Sequence, residues 1–235
     1  MKMVKFINWW GQPTEGVIQD SWFENFFQRC CEDYEDADHN KINIYSVFGN
    51  MNAISSSNKS EANLFFTGEN TFNMHRTFNN ENFISQHVDI IAGFFKSTSK
   101  SIRFPLWMIY WRFDLNGLFS PKISETRSED AIIISNHTAN GLRTRGVEII
   151  KSLGIKVYCN RTDVFPMAIS VKVLPNSVGK IETLKNYKYN ICFENSLQEG
   201  YTTEKIFEAL AGGTIPIYFG NNPVEPNILY ACIIL

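Results

Sequence analysis

The residues best suited to chemistry are concentrated in one segment, residues 193–220, which reads FENSLQEGYTTEKIFEALAGGTIPIYFG. Its pattern predicts a strand, a polar loop, a helix and a second strand. In a parallel βαβ unit, the carboxyl end of the strand and the amino end of the helix share the edge of the sheet where ligands bind. Asn195, Tyr201, Glu204 and Lys205 are therefore predicted to lie at or near a ligand-binding edge.

The side chains at this edge suit a nucleotide-sugar. A helix amino end attracts anions through its free N–H groups and its dipole, and Lys205 adds a full positive charge. Glu204 would repel a phosphate, so it is better suited to accept hydrogen bonds from sugar hydroxyls. The alternative is a purely structural role, because acidic residues are common in the first turn of helices, where they interact favourably with the helix dipole.

Two further segments place charged side chains near a predicted sheet edge. Arg143 and Arg145 of RTRG lie at or near the amino end of another predicted helix, and the forked donors of arginine suit a diphosphate. A solvated basic turn is the alternative. Glu69 lies just beyond the strand-like run NLFF, on the same edge, although an acid there is usually a loop residue or a cap.

The elements that must position these residues alternate along the chain. Short apolar runs such as VKFI, KINIY, AIIIS and YNICF are each followed by a polar loop and a helix-like stretch. This alternation predicts an α/β protein with parallel sheets. In the helix after AIIIS, we expect Val147, Ile150 and Leu153 on one buried face and Gly154 as the stop.

The polar, turn-rich stretch FSPKISETRSED, residues 119–130, has no periodicity and predicts a domain boundary. We therefore expect one domain over residues 1–120 and a second over residues 121–235.

Composition excludes several classes of protein. The chain has 235 residues, 44% of them hydrophobic, and a net charge of −2, which gives no reason to expect a nucleic acid or an anionic membrane as partner. Its five scattered cysteines predict a reduced, cytoplasm-like compartment, and no apolar run is long enough to span a bilayer. The DAD stretch at Asp36–Asp38 is interpreted as a solvated loop, and the histidines show no zinc spacing.

Several motifs together carry a family resemblance. FENS, GYTTEKIFEA and TIPIYFG resemble the signature of the α1,3/4-fucosyltransferases, and NWWG, YSVFG, FFTGEN and RFPLW resemble earlier parts of it in the same order. The resemblance runs from about residue 6 to about residue 226 and is closest to the compact bacterial members.

The resemblance implies a GT-B architecture, in which two Rossmann-like domains with parallel sheets face each other across a central cleft. The first half would bind the acceptor and the second GDP-fucose. The implied reaction is inverting, with Glu69 as general base, and Arg145 (or Arg143 as second choice) and Lys205 on the diphosphate. Asn195, Tyr201 and Glu204 would complete the nucleotide and fucose pocket.

The resemblance also implies no metal and no other cofactor. The acceptor would be an N-acetyllactosamine-type or lipopolysaccharide O-antigen glycan, fucosylated in α1,3 or α1,4 linkage. A cytoplasmic protein, either free or peripheral at the inner face of the membrane, is the expected setting.

Two alternatives remain open. Beyond NNPVEPN a family member would continue through further strand and helix, whereas this sequence ends at ILYACIIL. An inert relative that at most binds a GDP-sugar is therefore one alternative to the active enzyme. A related enzyme that uses another nucleotide-sugar on the same scaffold is the other.

Overall fold

The computed structural model describes residues 3–10, 12–16, 21–30, 41–50, 52–70, 81–94, 97–110, 127–221 and 233–234. The chain divides into two compact units, Met1–Arg112 and Phe113–Leu235. Within the described residues, each unit contains a six-stranded sheet with helices. The α/β class predicted from the sequence is confirmed. The predicted boundary after residue 120 falls outside the described residues and stays a prediction.

The first unit is built on a sheet with the strand order β2-β1-β3-β4-β5-β6. All neighbouring strands are parallel except β1 and β2, which form an antiparallel pair at one edge. The strands are β1 (Met3–Trp9), β2 (Gln12–Gly16), β3 (Lys41–Tyr45), β4 (Ala62–Phe66), β5 (Ile90–Gly93) and β6 (Ser101–Arg103). The helices are α1 (Trp22–Cys30), α2 (Asn52–Ser55), α3 (Glu81–His87) and α4 (Trp107–Tyr110).

Two apolar clusters stabilise this unit. Alternate residues of the buried strands point to opposite faces of the sheet, so Tyr45 and Phe65 belong to one cluster while Ile44 and Phe66 belong to the other. Phe66 extends an aromatic cluster and lies 5.5 Å, centroid to centroid, from Trp9. This packing fixes the carboxyl ends of β1 and β4, where the sequence places NWWG and FFTGEN.

The second unit is built on a sheet with the order β12-β11-β10-β7-β8-β9, in which every described pair of neighbours is parallel. The strands are β7 (Glu129–Ile133), β8 (Val157–Cys159), β9 (Ile169–Ser170), β10 (Tyr187–Phe193), β11 (Ile215–Phe219) and β12 (Ile233–Ile234). The helices are α5 (Leu142–Ser152), α6 (Asn176–Leu184) and α7 (Glu204–Ala211).

The strand order of the second sheet reverses between β7 and β10. The chain builds outward from β7 through β8 to β9, and then returns to the other side of β7 with β10 and β11. Open α/β sheets bind ligands at the carboxyl ends of the strands beside such a switch point. The topology therefore singles out the residues just after β7 and just after β10.

Helix α5 differs from its sequence-based prediction at one residue. Val147 and Ile150 are fully buried as expected, but Leu153 is 71% exposed. The prediction for Leu153 is wrong because α5 ends at Ser152 and Leu153 occupies the cap position, where helical spacing no longer applies. Gly154 has a φ of +81° and ends the helix, as the sequence indicated.

None of the helices in the described ranges combines the length and the apolar character that crossing a bilayer would require.

Candidate functional site

The two strand ends at the switch point are joined by one arginine. Arg143 projects from the first turn of α5 and is 1% exposed. Its Nε and Nη2 donate to the Phe193 carbonyl at the end of β10, at 3.0 and 2.8 Å. Its Nη1 donates to Ser135 Oγ, after β7, at 2.7 Å. The guanidinium is therefore held in one orientation at the topological switch point.

A second network fixes the start of α7. Thr203 is the residue before the helix, but its side chain does not cap the helix. Its backbone N–H donates to Glu194 Oε1 at 2.8 Å, and its hydroxyl donates to Glu194 Oε2 at 2.7 Å. Lys205 Nζ donates to the same hydroxyl at 2.8 Å and lies 3.6 Å from Glu194 Oε2. The fully buried Glu194 thus ties the end of β10 to the amino end of α7.

Burial and charge pairing have opposite effects on the pKa values of Glu194, Lys205 and Glu204. Burial raises the pKa of Glu194, although Lys205 and the hydrogen bonds from Thr203 oppose the rise. Burial tends to lower the pKa of Lys205, but Glu204 and Glu194 outweigh it and the pKa is raised. For Glu204, burial works toward a higher pKa, yet Lys205 and Lys180 bring it below its usual range. Lys205 is therefore cationic and Glu204 anionic at neutral pH.

A cavity of about 520 Å³ opens beside these two networks. Its volume falls in the range of small-molecule sites, about 300–1,000 Å³. The lining residues include four cations and one acid within the described part of the chain, namely Arg143, Lys172, Lys180, Lys205 and Glu204. Apolar side chains from the segment after β9, including Val171 and Pro175, form another part of the wall. A cationic floor beside an apolar wall suits an anionic ligand that also carries a flat or apolar group.

The predicted site residues of this unit divide into three groups. Glu204 and Lys205 line the cavity as expected of a site. Asn195 is half-buried and Tyr201 is 2% exposed, and both follow β10 in the loop to α7 without lining the cavity. The side chain of Arg145 is 76% exposed and lies 3.8 Å from Glu148, whereas Arg143, the second choice of the sequence analysis, lines the cavity. The roles of all these residues stay predictions.

The motifs of the first unit converge in the same way on the edge of their own sheet. Trp10, at the end of β1, donates from Nε1 to Glu69 Oε1 at 3.4 Å. Thr67 Oγ1 accepts the Glu69 N–H at 3.1 Å and fixes the turn after β4. A Cβ on Gly68 would lie 2.3 Å from Leu106, so glycine lets the RFPLW segment pack against FFTGEN. Glu69 is half-buried at this edge, a position compatible with the base role predicted for it.

In the described ranges, no three His, Cys, Asp or Glu side chains come together as a metal site. Asp36 and Asp38 lie outside the described residues, so their interpretation as a solvated loop stays a prediction.

Two polar residues that line the cavity, Lys180 and His137, were not predicted as site residues from the sequence. Lys180 lies on α6, a helix that was not predicted, although Ile181 and Leu184 at three-residue spacing signal it. His137 contacts the Arg143 guanidinium, with Nη1 to Nδ1 at 3.1 Å. Burial, with Arg143 and Lys205, lowers the pKa of His137, so it is neutral at pH 7.

Sequence and structure comparisons agree on the family. Residues 123–229 match the model described as glycosyltransferase family 10 (fucosyltransferase) C-term. A putative fucosyltransferase-like protein from Arabidopsis thaliana is 31% identical over 137 residues, covering 56% of this chain and 23% of the relative. Alpha-(1,3)-fucosyltransferase FucT from Helicobacter pylori is 51% identical over 52 residues, covering 22% of this chain and 11% of the relative. Alpha-(1,4)-fucosyltransferase from Arabidopsis thaliana is 45% identical over 42 residues, covering 18% of this chain and 10% of the relative.

The fold comparison reaches across both units. A crystal structure of alpha1,3-fucosyltransferase with GDP-fucose matches with a TM-score of 0.54 and 20% identity, over 81% of this chain and 60% of that one. The match confirms the GT-B fold class that the resemblance implied. The matched segments span less than a quarter of the length of the curated relatives above. Residues 123–229 are thus similar in sequence to the fucosyltransferases of glycosyltransferase family 10, and the fold of the chain is that of a solved alpha1,3-fucosyltransferase.

Proposed function

We propose that this protein transfers L-fucose from GDP-β-L-fucose to a glycan by single displacement with inversion, so that the new linkage is α. The observation that carries the proposal is the cavity at the β7/β10 switch point. It brings Arg143, Lys205 and Glu204 together within the segment that matches the fucosyltransferase family.

The donor diphosphate would lie against Lys205 and Arg143. Negative charge grows on the GDP leaving group as the bond to fucose breaks, and fixed positive groups that meet this charge lower the barrier. Arg143 is the arginine we assign to this role, because it lines the cavity while Arg145 is exposed on the far side of α5. The bonds from Arg143 to Phe193 and Ser135 set its direction before a ligand arrives.

The sugar hydroxyls would be recognised by acceptor groups. Glu204 lines the cavity, and its lowered pKa keeps it ionised, so it can accept hydrogen bonds from ribose or fucose. Asn195 and Tyr201 would complete this pocket from the loop between β10 and α7. The family resemblance, together with their place in this loop, supports that part of the proposal.

The acceptor hydroxyl must lose a proton as it attacks, which calls for a general base. We assign this role to Glu69, in the turn after β4. The hydrogen bond from Trp10 fixes one carboxylate oxygen of Glu69 at this edge of the sheet. The proposed acceptor contains N-acetylglucosamine, as in N-acetyllactosamine-type or O-antigen glycans, with α1,3 linkage favoured over α1,4.

The test uses the purified chain with GDP-fucose and N-acetyllactosamine, with GDP-mannose and a UDP-sugar as control donors. We expect fucosylated product from GDP-fucose alone, and NMR of the product gives the anomeric configuration and linkage. Binding of GDP-fucose without product would favour the inert relative. Transfer from a control donor would favour the third alternative, and no binding of any donor would overturn the proposal.

The donor contact is tested with Lys205→Ala. We expect GDP-fucose affinity to weaken by about 1.5–3 kcal/mol, the range for a hydrogen bond to a charged group. Arg145→Ala is the matched control, because it removes a cation from the exposed face of α5 and should leave donor affinity unchanged. Equal affinities for Lys205→Ala and wild type would remove Lys205 from the site.

A further inference from the structure

A buried carboxylate lies behind the candidate donor cavity. Glu208, one turn into α7, is 5% exposed. Its Oε2 lies 3.5 Å from Lys180 Nζ on α6, and among the described residues its Oε1 accepts no hydrogen bond. An ionised carboxylate that is buried with so few partners is costly, because hydration is lost and only partly replaced.

The partner of this carboxylate belongs to the cavity. Lys180 lines the cavity together with Lys205 and Arg143, and its side chain is 29% exposed. An ammonium at this position can face the Glu208 carboxylate or an anion in the cavity. When Glu208 is ionised, its carboxylate compensates the charge of Lys180. When Glu208 is protonated, that charge is available to a ligand.

The surroundings of Glu208 make both its ionised and its protonated form accessible near neutral pH. Burial raises the pKa of Glu208 to about 7, with Lys180 opposing the rise and Glu204 adding to it. A hydrogen bond from Ser177 and the charge of Lys205 also favour the ionised form. Strands β10 and β11 also pack on α7, and their titratable residues include Cys192 and its cross-strand neighbour Tyr218. The Cys192 thiol donates to the Lys205 carbonyl at 3.4 Å.

We propose that Glu208 is a positioning residue that couples donor binding to proton uptake. Protonation of its carboxylate releases Lys180 to the diphosphate of the bound GDP-sugar, so donor affinity falls as the pH rises through neutrality. This inference rests on the proposed function, because it needs a diphosphate ligand in the cavity. It adds to that function a further binding residue, Lys180, and a pH dependence that Arg143 and Lys205 do not supply.

The size of the effect follows from the population of the binding-competent form. If only the protonated form bound the donor, the apparent dissociation constant would rise about 25-fold between pH 6.5 and 8.5. Because Arg143 and Lys205 still attract the diphosphate when Glu208 is ionised, we expect a rise of roughly 5- to 20-fold.

The experiment is calorimetric titration of GDP-fucose across pH 6.5–8.5. Both phosphates of GDP-fucose are esterified, so the ligand does not titrate here, unlike the terminal phosphate of GDP with a pKa of about 6. The pKa of His137 is lowered by its burial and by Arg143 and Lys205, which favours its neutral form over this range. Titration in two buffers of different ionisation enthalpy measures the protons taken up on binding.

Three variants separate the contributions. Glu208→Gln imitates the protonated form, so it should bind GDP-fucose as tightly at pH 8.5 as at pH 6.5, without proton uptake. Lys180→Gln should bind more weakly at pH 6.5 and lose most of the pH dependence, whereas Lys180→Arg should retain both. Lys185→Gln is the matched control, because Lys185 caps α6, pairs with Glu182 and should leave affinity and pH dependence unchanged.

The outcomes distinguish the two proposals. If wild type binds GDP-fucose but Glu208→Gln keeps the wild-type pH dependence, the inference is wrong and the proposed function stands. An unchanged affinity in Lys180→Gln also overturns the inference, and this variant decides the matter if Glu208→Gln does not fold. Absence of GDP-fucose binding in wild type at every pH overturns both.

Discussion

The hydroxyl of Thr203 should be the most sensitive single group at the start of α7. It donates to Glu194 Oε2 at 2.7 Å and accepts from Lys205 Nζ at 2.8 Å, so it lies between a buried carboxylate and an ammonium. Thr203→Val keeps the shape of the side chain and removes both hydrogen bonds. The change therefore tests the network without opening a cavity.

The expected loss can be worked from these contacts. A hydrogen bond to a charged group contributes about 1.5–3 kcal/mol. Two such bonds share one hydroxyl, and the Thr203 N–H still donates to Glu194 at 2.8 Å, so the losses should not add fully. We expect Thr203→Val to lower the free energy of unfolding by about 2–4 kcal/mol.

The neighbouring residue provides the matched control. Thr202 is 1% exposed, and its hydroxyl has no hydrogen-bond partner among the described residues. Thr202→Val therefore removes a buried hydroxyl that forms no hydrogen bond with the described residues. It should be neutral or should stabilise the protein by up to about 1 kcal/mol.

Urea unfolding of wild type and both variants, monitored by circular dichroism, measures the difference. The same chemical change at these adjacent positions should alter the free energy of unfolding with opposite signs, or at least by amounts that differ by about 2 kcal/mol. Thr203→Val within about 0.5 kcal/mol of wild type would refute the role given to this hydroxyl. Equal losses in the two variants would show that the hydroxyl network does not distinguish the sites.

Three further predictions concern packing, catalysis and metal. Gly146→Ala should destabilise the protein by about 1–3 kcal/mol in urea unfolding, because the new Cβ would lie 2.2 Å from the Phe193 ring; unchanged stability would contradict this packing. Glu69→Gln should slow fucose transfer by about 10²–10⁴-fold while GDP affinity and melting temperature stay near wild type; turnover within about threefold of wild type would remove Glu69 as base. Transfer should survive EDTA, and complete loss restored by manganese would establish a metal requirement.

Much of the second unit could be predicted from the sequence because local signals agree there. The run YNICF is apolar and continuous, as expected of a strand buried on both faces, and it lies within β10. The helix after it begins at Glu204 and ends before Gly212, inside the segment for which the sequence predicts a helix. Within this helix, Ile206 and Ala209 are fully buried at three-residue spacing, whereas Leu210 is half-buried.

Helical spacing in the sequence distinguishes Arg143 from Arg145, although it was not used to choose between them. Arg143, Val147 and Ile150 follow one another at helical spacing, and all three are buried on the same stripe of α5. Arg145 is two residues further along, which places it on the opposite side, and it is exposed. Helical phase alone therefore favours Arg143 for the cavity, once the helix is known to begin at Leu142.

Other features depend on contacts that local pattern does not encode. The pairing of Glu208 with Lys180 joins α6 to α7, and the tie from Arg143 to the end of β10 joins residues 50 apart in the chain. Thr203 occupies the cap position of α7, but its hydroxyl donates to the buried Glu194 rather than to the helix backbone. Only the assembled sheet places these groups together.

The cations of the cavity differ in how their charge is balanced, and this difference bears on how the site works. Arg143 is held by carbonyl and hydroxyl oxygens and forms no salt bridge within the described residues, and Glu194 and Glu204 act on its charge only through longer-range attraction. Lys205 is balanced by Glu194 and Glu204, and Lys180 by Glu208, whose protonation is easily changed. Four uncompensated cations would repel one another in the empty site, whereas pairing the lysines with carboxylates reduces this repulsion. Arg143 should then supply the constant part of the attraction for a diphosphate, and Lys180 the part that varies with pH.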